Sequence, residues 1–364
     1  MTNPFSYDYI SKKENFIRRD EEFEIISKNV KYGTNLLIHS KRRMGKTTLI
    51  KNYLEKYKDE YHCIYVDIFD ITSKEDFATL LLNALTSSYK LDIKQSIKQL
   101  TALFKKVRVE PTINPKTLNY SLKAVVATLS FEEMIEEFFT SINELSKTTK
   151  IIIAIDEFQQ IASISDVKLD AILRKYIQQR QNISYIFLGS KRHLLTSLFE
   201  YKAPLYEMAN HFELQPLKLE DIYNYSKKYL NISKEAFSYI YEQSDKETKI
   251  IQHILHILYI NKYEEISIEQ IDNAINEIIN SKDGSYRLLF DTLNNNQKQA
   301  LKIVAFYKKG FFVSEVLTKY NIKKQTLQSS VNTLFKKELI DKLNDKYFIP
   351  DRTLELWVQR LANE

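Results

Sequence analysis

Apolar residues in this chain follow two alternating patterns. Short unbroken runs (Leu36-Leu37-Ile38, Cys63-Ile64-Tyr65-Val66, Ile151-Ile152-Ile153-Ala154-Ile155 and Tyr185-Ile186-Phe187-Leu188) are bounded by polar residues. Runs of that length without alternation predict strands buried on both faces, as in a parallel sheet. Between them apolar residues recur at helical spacing: Phe23, Ile26 and Val30, then Leu49, Ile50 and Leu54, then within 73–107, 131–146 and 166–182. This alternation predicts an α/β domain over 1–215, a parallel sheet flanked by helices. Pro111, Asn114 and Pro115, between β-compatible runs at 107–128, predict a hairpin-like insertion and a candidate contact surface.

The pattern then changes. Over 216–283 only helical spacing remains, through Ile222, Tyr225 and Tyr229, then Ile250, Ile251, Ile254, Ile257 and Leu258, then Ile271, Ile275 and Ile278. That predicts an all-helical lid. Over 284–364, helices near 295–307 and 313–320 precede a third that begins near Lys323. A strand pair, Leu339-Ile340-Asp341-Lys342 and Lys346-Tyr347-Phe348-Ile349, turns at Asn344-Asp345. Three helices and a hairpin predict a C-terminal winged helix.

Chemistry concentrates where two of the apolar runs end. After Ile38 comes Ser40-Lys41-Arg42-Arg43-Met44-Gly45-Lys46-Thr47-Thr48, and then a helix pattern. Strand, loop and helix in that order are the context a phosphate-binding loop requires. Ser40, Arg43, Met44, Gly45, Lys46, Thr47 and Thr48 are the expected nucleotide contacts. Lys46 is expected to reach the β- and γ-phosphates, and Thr47 to hold Mg²⁺. Ser40 stands where such loops usually begin with Gly. A chance Gly-Lys-Thr in a lysine-rich chain is the competing explanation.

The second run ends in Asp156-Glu157, about a hundred residues on, a spacing typical of P-loop ATPases. Open α/β sheets bind ligands at the C-terminal edge of their strands. Asp156 is therefore expected in the Mg²⁺ shell, with Glu157 orienting or deprotonating the attacking water. The run ending at Leu188 leads to Gly189-Ser190, where Ser190 is expected to sense the γ-phosphate or the water. Arg192, Arg174 and Arg180 are candidates for a charge-stabilising arginine, each equally readable as a solvated surface residue. Arg19 is expected near the nucleotide, on a helix that caps the adenine or simply packs on the sheet. Asp67 is read either as a neighbour of the site or as a surface carboxylate.

Composition narrows the class. The 364 residues suffice for two or three domains, and 44% hydrophobic with 27% charged reads as globular. No apolar run approaches the ~18 residues of a membrane helix. Cys63 is the single cysteine, so an internal disulfide and a cysteine zinc site are excluded, and a cytoplasmic location is expected. The net charge of +6 is too mild to argue for nucleic acid by itself. Of only five glycines, Gly33, Gly45 and Gly189 fall around the proposed nucleotide core, and Gly284 marks the expected junction before the winged helix. In the third winged-helix segment, Lys323, Lys324, Gln325, Gln328 and Asn332 are the residues expected to meet double-stranded DNA. Their side chains reach phosphates and base edges. Packing of the winged helix on its own ATPase domain or on a protein partner is the equal alternative.

Together Asn3-Pro4-Phe5, Phe16-Ile17-Arg18-Arg19, Lys41 to Thr47, Ile155-Asp156-Glu157-Phe158, Leu188-Gly189-Ser190, Pro204-Leu205-Tyr206, Leu214-Gln215-Pro216-Leu217 and the tail from Tyr347 to Trp357 resemble the archaeal-type ATPases. These belong to the STAND class within the AAA+-like group. Arg18 stands where that family usually has Gly, and Lys246-Glu247-Thr248 where it has Gly-x-Pro before the helix containing Gln252. The resemblance implies a RecA- or AAA+-like parallel sheet, a helical lid and a C-terminal winged helix. It implies ATP and Mg²⁺ as cofactors, a nucleotide-driven switch, and self-association or a protein partner, with no membrane. A DNA-acting ATPase of the origin-recognition or transposition-helper type and a non-hydrolysing ATP-bound adaptor are the alternatives. No repeat array is visible in the sequence.

Overall fold

The computed structural model describes residues 3–8, 15–89, 92–113, 120–179, 182–190, 192–343 and 345–363. The chain forms two compact units, Ile10–Gln215 and Pro216–Glu364, the latter joined by Met1–Tyr9.

The first unit contains strands β1 (Leu36–His39), β2 (His62–Asp67), β3 (Arg108–Ile113), β4 (Tyr120–Val125), β5 (Ile151–Asp156), β6 (Ile183–Gly189) and β7 (Asn210–Glu213). Five make one sheet in the order β2-β5-β6-β1-β7, with every pairing parallel. β5 and β6 are buried along their whole length, which is why their sequences are unbroken apolar runs. Alternate side chains serve the two faces. Ile152, Ala154, Ile186 and Leu188 pack with helices Asp20–Lys31 and Lys46–Lys56 through Ile26, Val30, Leu49 and Ile50. Ile151, Ile153, Ile155 and Phe187 pack with helices Lys74–Ser87, Phe131–Ser146 and Leu169–Gln178. Ser73 with Asp76, and Ser130 with Glu133, form reciprocal capping boxes that start two of these helices. β7 has no counterpart among the apolar runs: Asn210-His211-Phe212-Glu213 is an edge strand, exposed except at Phe212.

The expected insertion is the antiparallel β3–β4 hairpin. It is seated on helix Lys74–Ser87, where Asn83 Oδ1 accepts from the Ala124 N–H at 3.0 Å and the Thr86 hydroxyl donates to the Leu122 carbonyl at 3.2 Å. Leu122 and Ala124 thereby enter the core.

The second unit opens with helices Leu219–Ser226, Lys234–Gln243, Thr248–Asn261 and Ile268–Asp291. Residues 3–8, expected in the first domain, pack here instead. The reason is apolar: Phe5 is fully buried and meets Tyr225, Tyr229 and Tyr259 edge-on. Tyr225 donates to the Pro4 carbonyl at 3.0 Å, and Tyr7 stacks on His253 at 3.7 Å between centroids.

Gly284 does not break the chain at the expected junction. It lies inside helix Ile268–Asp291, which runs unbroken from the lid into the winged helix. A helical glycine costs only about 1 kcal/mol relative to Ala, and buried Ile278, Ile279 and Tyr286 on the same helix outweigh it. The winged helix continues through helices Asn295–Phe306, Ser314–Lys319 and Lys324–Lys336, the hairpin β8 (Asp341–Leu343) and β9 (Lys346–Phe348), and a last helix, Arg352–Asn363. Of the expected turn, Asn344 lies outside the described residues and Asp345 takes φ +61°. The last helix is tied back to Ile268–Asp291: Trp357 Nε1 donates to Asp283 at 2.8 Å and Arg360 donates to Asn280 at 2.8 Å. Arg352 also donates to the Gln243 carbonyl, at 2.9 Å, on the lid side. Among the described residues no helix is long and apolar enough to cross a membrane.

Candidate functional site

The C-terminal end of β1 leads through a six-residue loop, 40–45, into helix Lys46–Lys56. Gly45 sits at the N-cap with φ +88°, a conformation that glycine adopts without strain. No side chain caps this helix and no acidic residue occupies its first turn, so its N–H groups and dipole are left for an anion. Arg43 also takes a positive φ, +67°. Met44 is buried, and its carbonyl accepts from Arg19 Nη2 at 3.0 Å. The other Arg19 nitrogen, Nη1, donates to the Gln215 carbonyl at 3.0 Å and to Glu22 at 2.8 Å. Arg19 thus braces the loop from behind its backbone.

Lys46 is 6% exposed and turns back onto the loop. Its Nζ donates to Ser40 Oγ at 3.1 Å and to the carbonyls of Ser40 and Lys41 at 3.4 Å each. Burial, the largest influence, pulls its pKa down to about 8; Glu157 and Asp156 oppose this and Arg42 adds to it. Ser40 therefore does more than replace a glycine, because its hydroxyl supplies one of the three acceptors that hold the lysine.

Asp156, 1% exposed, ends β5. Its Oδ2 accepts from Thr47 Oγ1 at 2.6 Å and from the Tyr65 hydroxyl at 2.9 Å, while Oδ1 accepts from the Glu157 N–H at 2.9 Å. Glu157 takes the left-handed conformation, φ +54° and ψ +39°, and opens a short 3-10 turn, Phe158–Ser163. Its Oε2 accepts from Gln159 Nε2 at 2.5 Å and from Ser190 Oγ at 3.3 Å. Asp67 aligns with Asp156 across β2 and β5, and its carboxyl is raised, first by burial and further by Asp156 and Glu157. Burial, then Asp156, raises the Tyr65 phenol as well, so that it stays a donor.

Lys46, Thr47, Asp156, Glu157 and Ser190 thus come together at one edge of the sheet. Tyr65 and Gln159 join them without having been marked by the sequence pattern. Tyr65 is a hydroxyl-bearing residue inside an apolar strand, two positions before Asp67, and that was the one available signal. The Thr47 hydroxyl and Asp156 carboxylate are hard oxygen donors already in contact, a pairing that suits Mg²⁺ completed by phosphate and water oxygens. Of the arginine candidates, Arg174 is exposed and donates to the Pro204 carbonyl at 2.6 Å. Arg180 and the Arg192 side chain lie outside the described residues. In the second unit, Lys324, Gln325, Gln328 and Asn332 are exposed on helix Lys324–Lys336, and Lys323 is its N-cap. Gln325, Gln328, Ser329, Asn332, Thr333 and Lys336 line an open pocket of about 450 Å³ there.

Residues 16–258 match the model of a family described as an ATPase domain predominantly from Archaea, and residues 284–360 match a probable winged helix domain. Among solved structures, the chain is similar to a Walker-type ATPase of Pyrococcus abyssi, with 17% identity, coverage of 98% of this chain and 99% of that one, and a TM-score of 0.68. It is also similar to the ORC2 protein of Aeropyrum pernix in its ADP form, with 13% identity, 99% and 98% coverage and a TM-score of 0.57. The ORC1 protein of the same organism, solved in complex with DNA, gives 13% identity, 99% and 97% coverage and a TM-score of 0.54. At these identities the likeness concerns the fold. No curated protein matches the chain.

Proposed function

Since the chain belongs to the family of ATPase domains found predominantly in Archaea, we propose that it is a Mg²⁺-dependent ATP hydrolase working as a nucleotide-driven switch of the STAND or AAA+-like kind. The observation that carries this reading is the direct linkage of the two motif ends: Thr47 bonded to Asp156, and Ser190 bonded to Glu157. Lys46 gives up its bonds to Ser40 and Lys41 and turns to the β- and γ-phosphates, while the N-terminus of helix Lys46–Lys56 faces the same charge. Thr47 and Asp156 hold Mg²⁺, which when bound draws charge from the phosphates. Glu157 accepts a proton from water as the water oxygen bonds to the γ-phosphorus. The bridging P–O bond breaks and its electron pair leaves with ADP. Ser190 orients the same water or the departing phosphate.

As a switch, the protein works only as far as ATP and ADP differ in affinity for its two states. Steady-state ATP hydrolysis tests the proposal. We expect slow turnover that Lys46→Ala and Glu157→Gln each abolish; ATP binding without turnover in the intact chain would sink the hydrolase and leave an ATP-bound adaptor.

A second reading, a DNA-acting ATPase, is favoured by the exposed face of helix Lys324–Lys336. Amide side chains there suit base edges, and Lys324 and Lys336 suit phosphates. The fold likeness to ORC1, solved with DNA, is in keeping with it. Turnover raised by duplex DNA, and losing that rise as salt increases, would select this reading; turnover indifferent to DNA would remove it.

A further inference from the structure

We propose that Gln159 is a positioning residue that clamps Glu157 so that one defined carboxylate oxygen faces the reacting water. The inference rests on the hydrolase reading above, and names a residue to which the motifs assign no role.

Gln159 lies in the first turn of Phe158–Ser163 and is 1% exposed. Its Nε2 donates to Glu157 Oε2, and Ser190 Oγ donates to the same oxygen. Among the described residues no hydrogen bond reaches Glu157 Oε1. Two donors on one oxygen fix the plane of the carboxylate and leave the other oxygen to take a proton. The Glu157 backbone sits in the left-handed region, which a glutamate enters only when its surroundings hold it there.

The far side of the amide is fixed as well. Gln159 Oε1 is buried without a hydrogen-bond partner, and it lies against Gly189. A Cβ at position 189 would stand 2.4 Å from that oxygen and 2.6 Å from Leu195 Cδ1. The glycine of Leu188-Gly189-Ser190 therefore makes room for the clamp, while the serine beside it supplies the second donor. Turning the amide over would set its oxygen against the Glu157 carboxylate, acceptor against acceptor, so only the orientation described is consistent. An amide also suits the place because it donates without charge. A lysine there would compete with Lys46 for the phosphates, and an acid would repel Glu157.

The test uses the full chain, with two independent readouts. In Gln159→Leu, kcat for ATP should fall about tenfold to a hundredfold, the scale of a misplaced catalytic group. KM and the dissociation constant for a fluorescent ATP analogue should stay within about twofold, as expected when only transition-state help is lost. The second readout needs no turnover. In protein labelled with ¹⁵N-glutamine, the Gln159 side-chain amide resonance, identified by its loss in Gln159→Leu, should shift in Glu157→Ala.

A resonance that ignores Glu157→Ala overturns the clamp. So does an unchanged kcat, or a fall in kcat matched by falls in nucleotide affinity and thermal stability. If the intact chain does not hydrolyse ATP, the hydrolase reading fails on its own. The amide resonance then still decides whether Gln159 holds Glu157.

Discussion

Removing the Tyr65 hydroxyl should raise the Mg²⁺ requirement without emptying the nucleotide site. Asp156 Oδ2 accepts from both Tyr65 and Thr47. On the reading proposed above Thr47 would turn to the metal, leaving Tyr65 as the remaining side-chain donor that aims the carboxylate. In Tyr65→Phe the ring stays, and Lys51 Nζ keeps its place 4.3 Å from the ring centroid. Only one hydrogen bond to a charged acceptor is lost, a loss of about 1.5–3 kcal/mol. At ~1.4 kcal/mol per decade this corresponds to roughly tenfold to a hundredfold in metal affinity, the range seen when groups that orient metal ligands are removed. Half-saturation by Mg²⁺ should be measured twice, in ATP hydrolysis and in binding of a fluorescent ATP analogue. Both midpoints should rise at least about tenfold, while turnover at saturating Mg²⁺ stays within a few fold. Tyr53→Phe is the control, since it removes a buried hydroxyl 3.1 Å from Ser27 Oγ on the helix that follows the loop. A Tyr65→Phe midpoint within about twofold of the parent would refute the role given to this bond.

Ser40→Gly removes one of the three acceptors that hold Lys46, so calorimetry should find ATP bound more tightly by roughly threefold to tenfold; weaker binding would contradict the holding of Lys46 by Ser40. Gly189→Ala forces a Cβ to within 2.4 Å of Gln159 Oε1 and should cost about 1–3 kcal/mol in denaturant unfolding, while a neutral effect would show that the contact yields freely. Stability should also fall on acidification. Burial holds His62 and His253 down to about 4, so between pH 6.5 and 4 the unfolded chain binds protons that the folded chain refuses. The stability these groups contribute is present above pH 6.5 and declines as pH falls toward 4, by up to ~1.4 kcal/mol per pH unit for the more buried His62. His62→Asn should flatten that decline in thermal unfolding; an unchanged slope would assign the acid sensitivity elsewhere.

How much of this could be read from the chain depended on whether a residue's role is local. β5 and β6 are buried on both faces, so their sequences announce themselves, whereas β7 is an edge strand of four mostly polar residues and leaves no trace. That Lys46, Thr47, Asp156 and Glu157 converge is legible because they stand at or just after the C-terminal ends of two parallel strands. Tyr65 is not, since its partner is set by the register of β2 on β5. Gln159 depends on the left-handed turn at Glu157, which no propensity for glutamate predicts. Gly284 reads as the junction before the winged helix, but the pattern does not show that the chain passes that point as one continuous helix, held by flanking apolar residues and the Trp357 bond to Asp283.

That unbroken helix has a mechanical consequence. Its 24 residues form a rod of ~36 Å at ~1.5 Å per residue, shared by the lid at one end and the winged helix at the other. The Arg352 bond to Gln243 and the Trp357 and Arg360 bonds to the rod stiffen the joint on a second side. The winged helix cannot swivel freely on a linker; it inherits whatever rotation the lid undergoes. A ~10° turn at the lid end would carry the far end of a ~36 Å arm through ~6 Å, about the height of one helical turn. Any rotation at the lid end is thus geared up before it reaches helix Lys324–Lys336, and the gear ratio is set by the length of one helix.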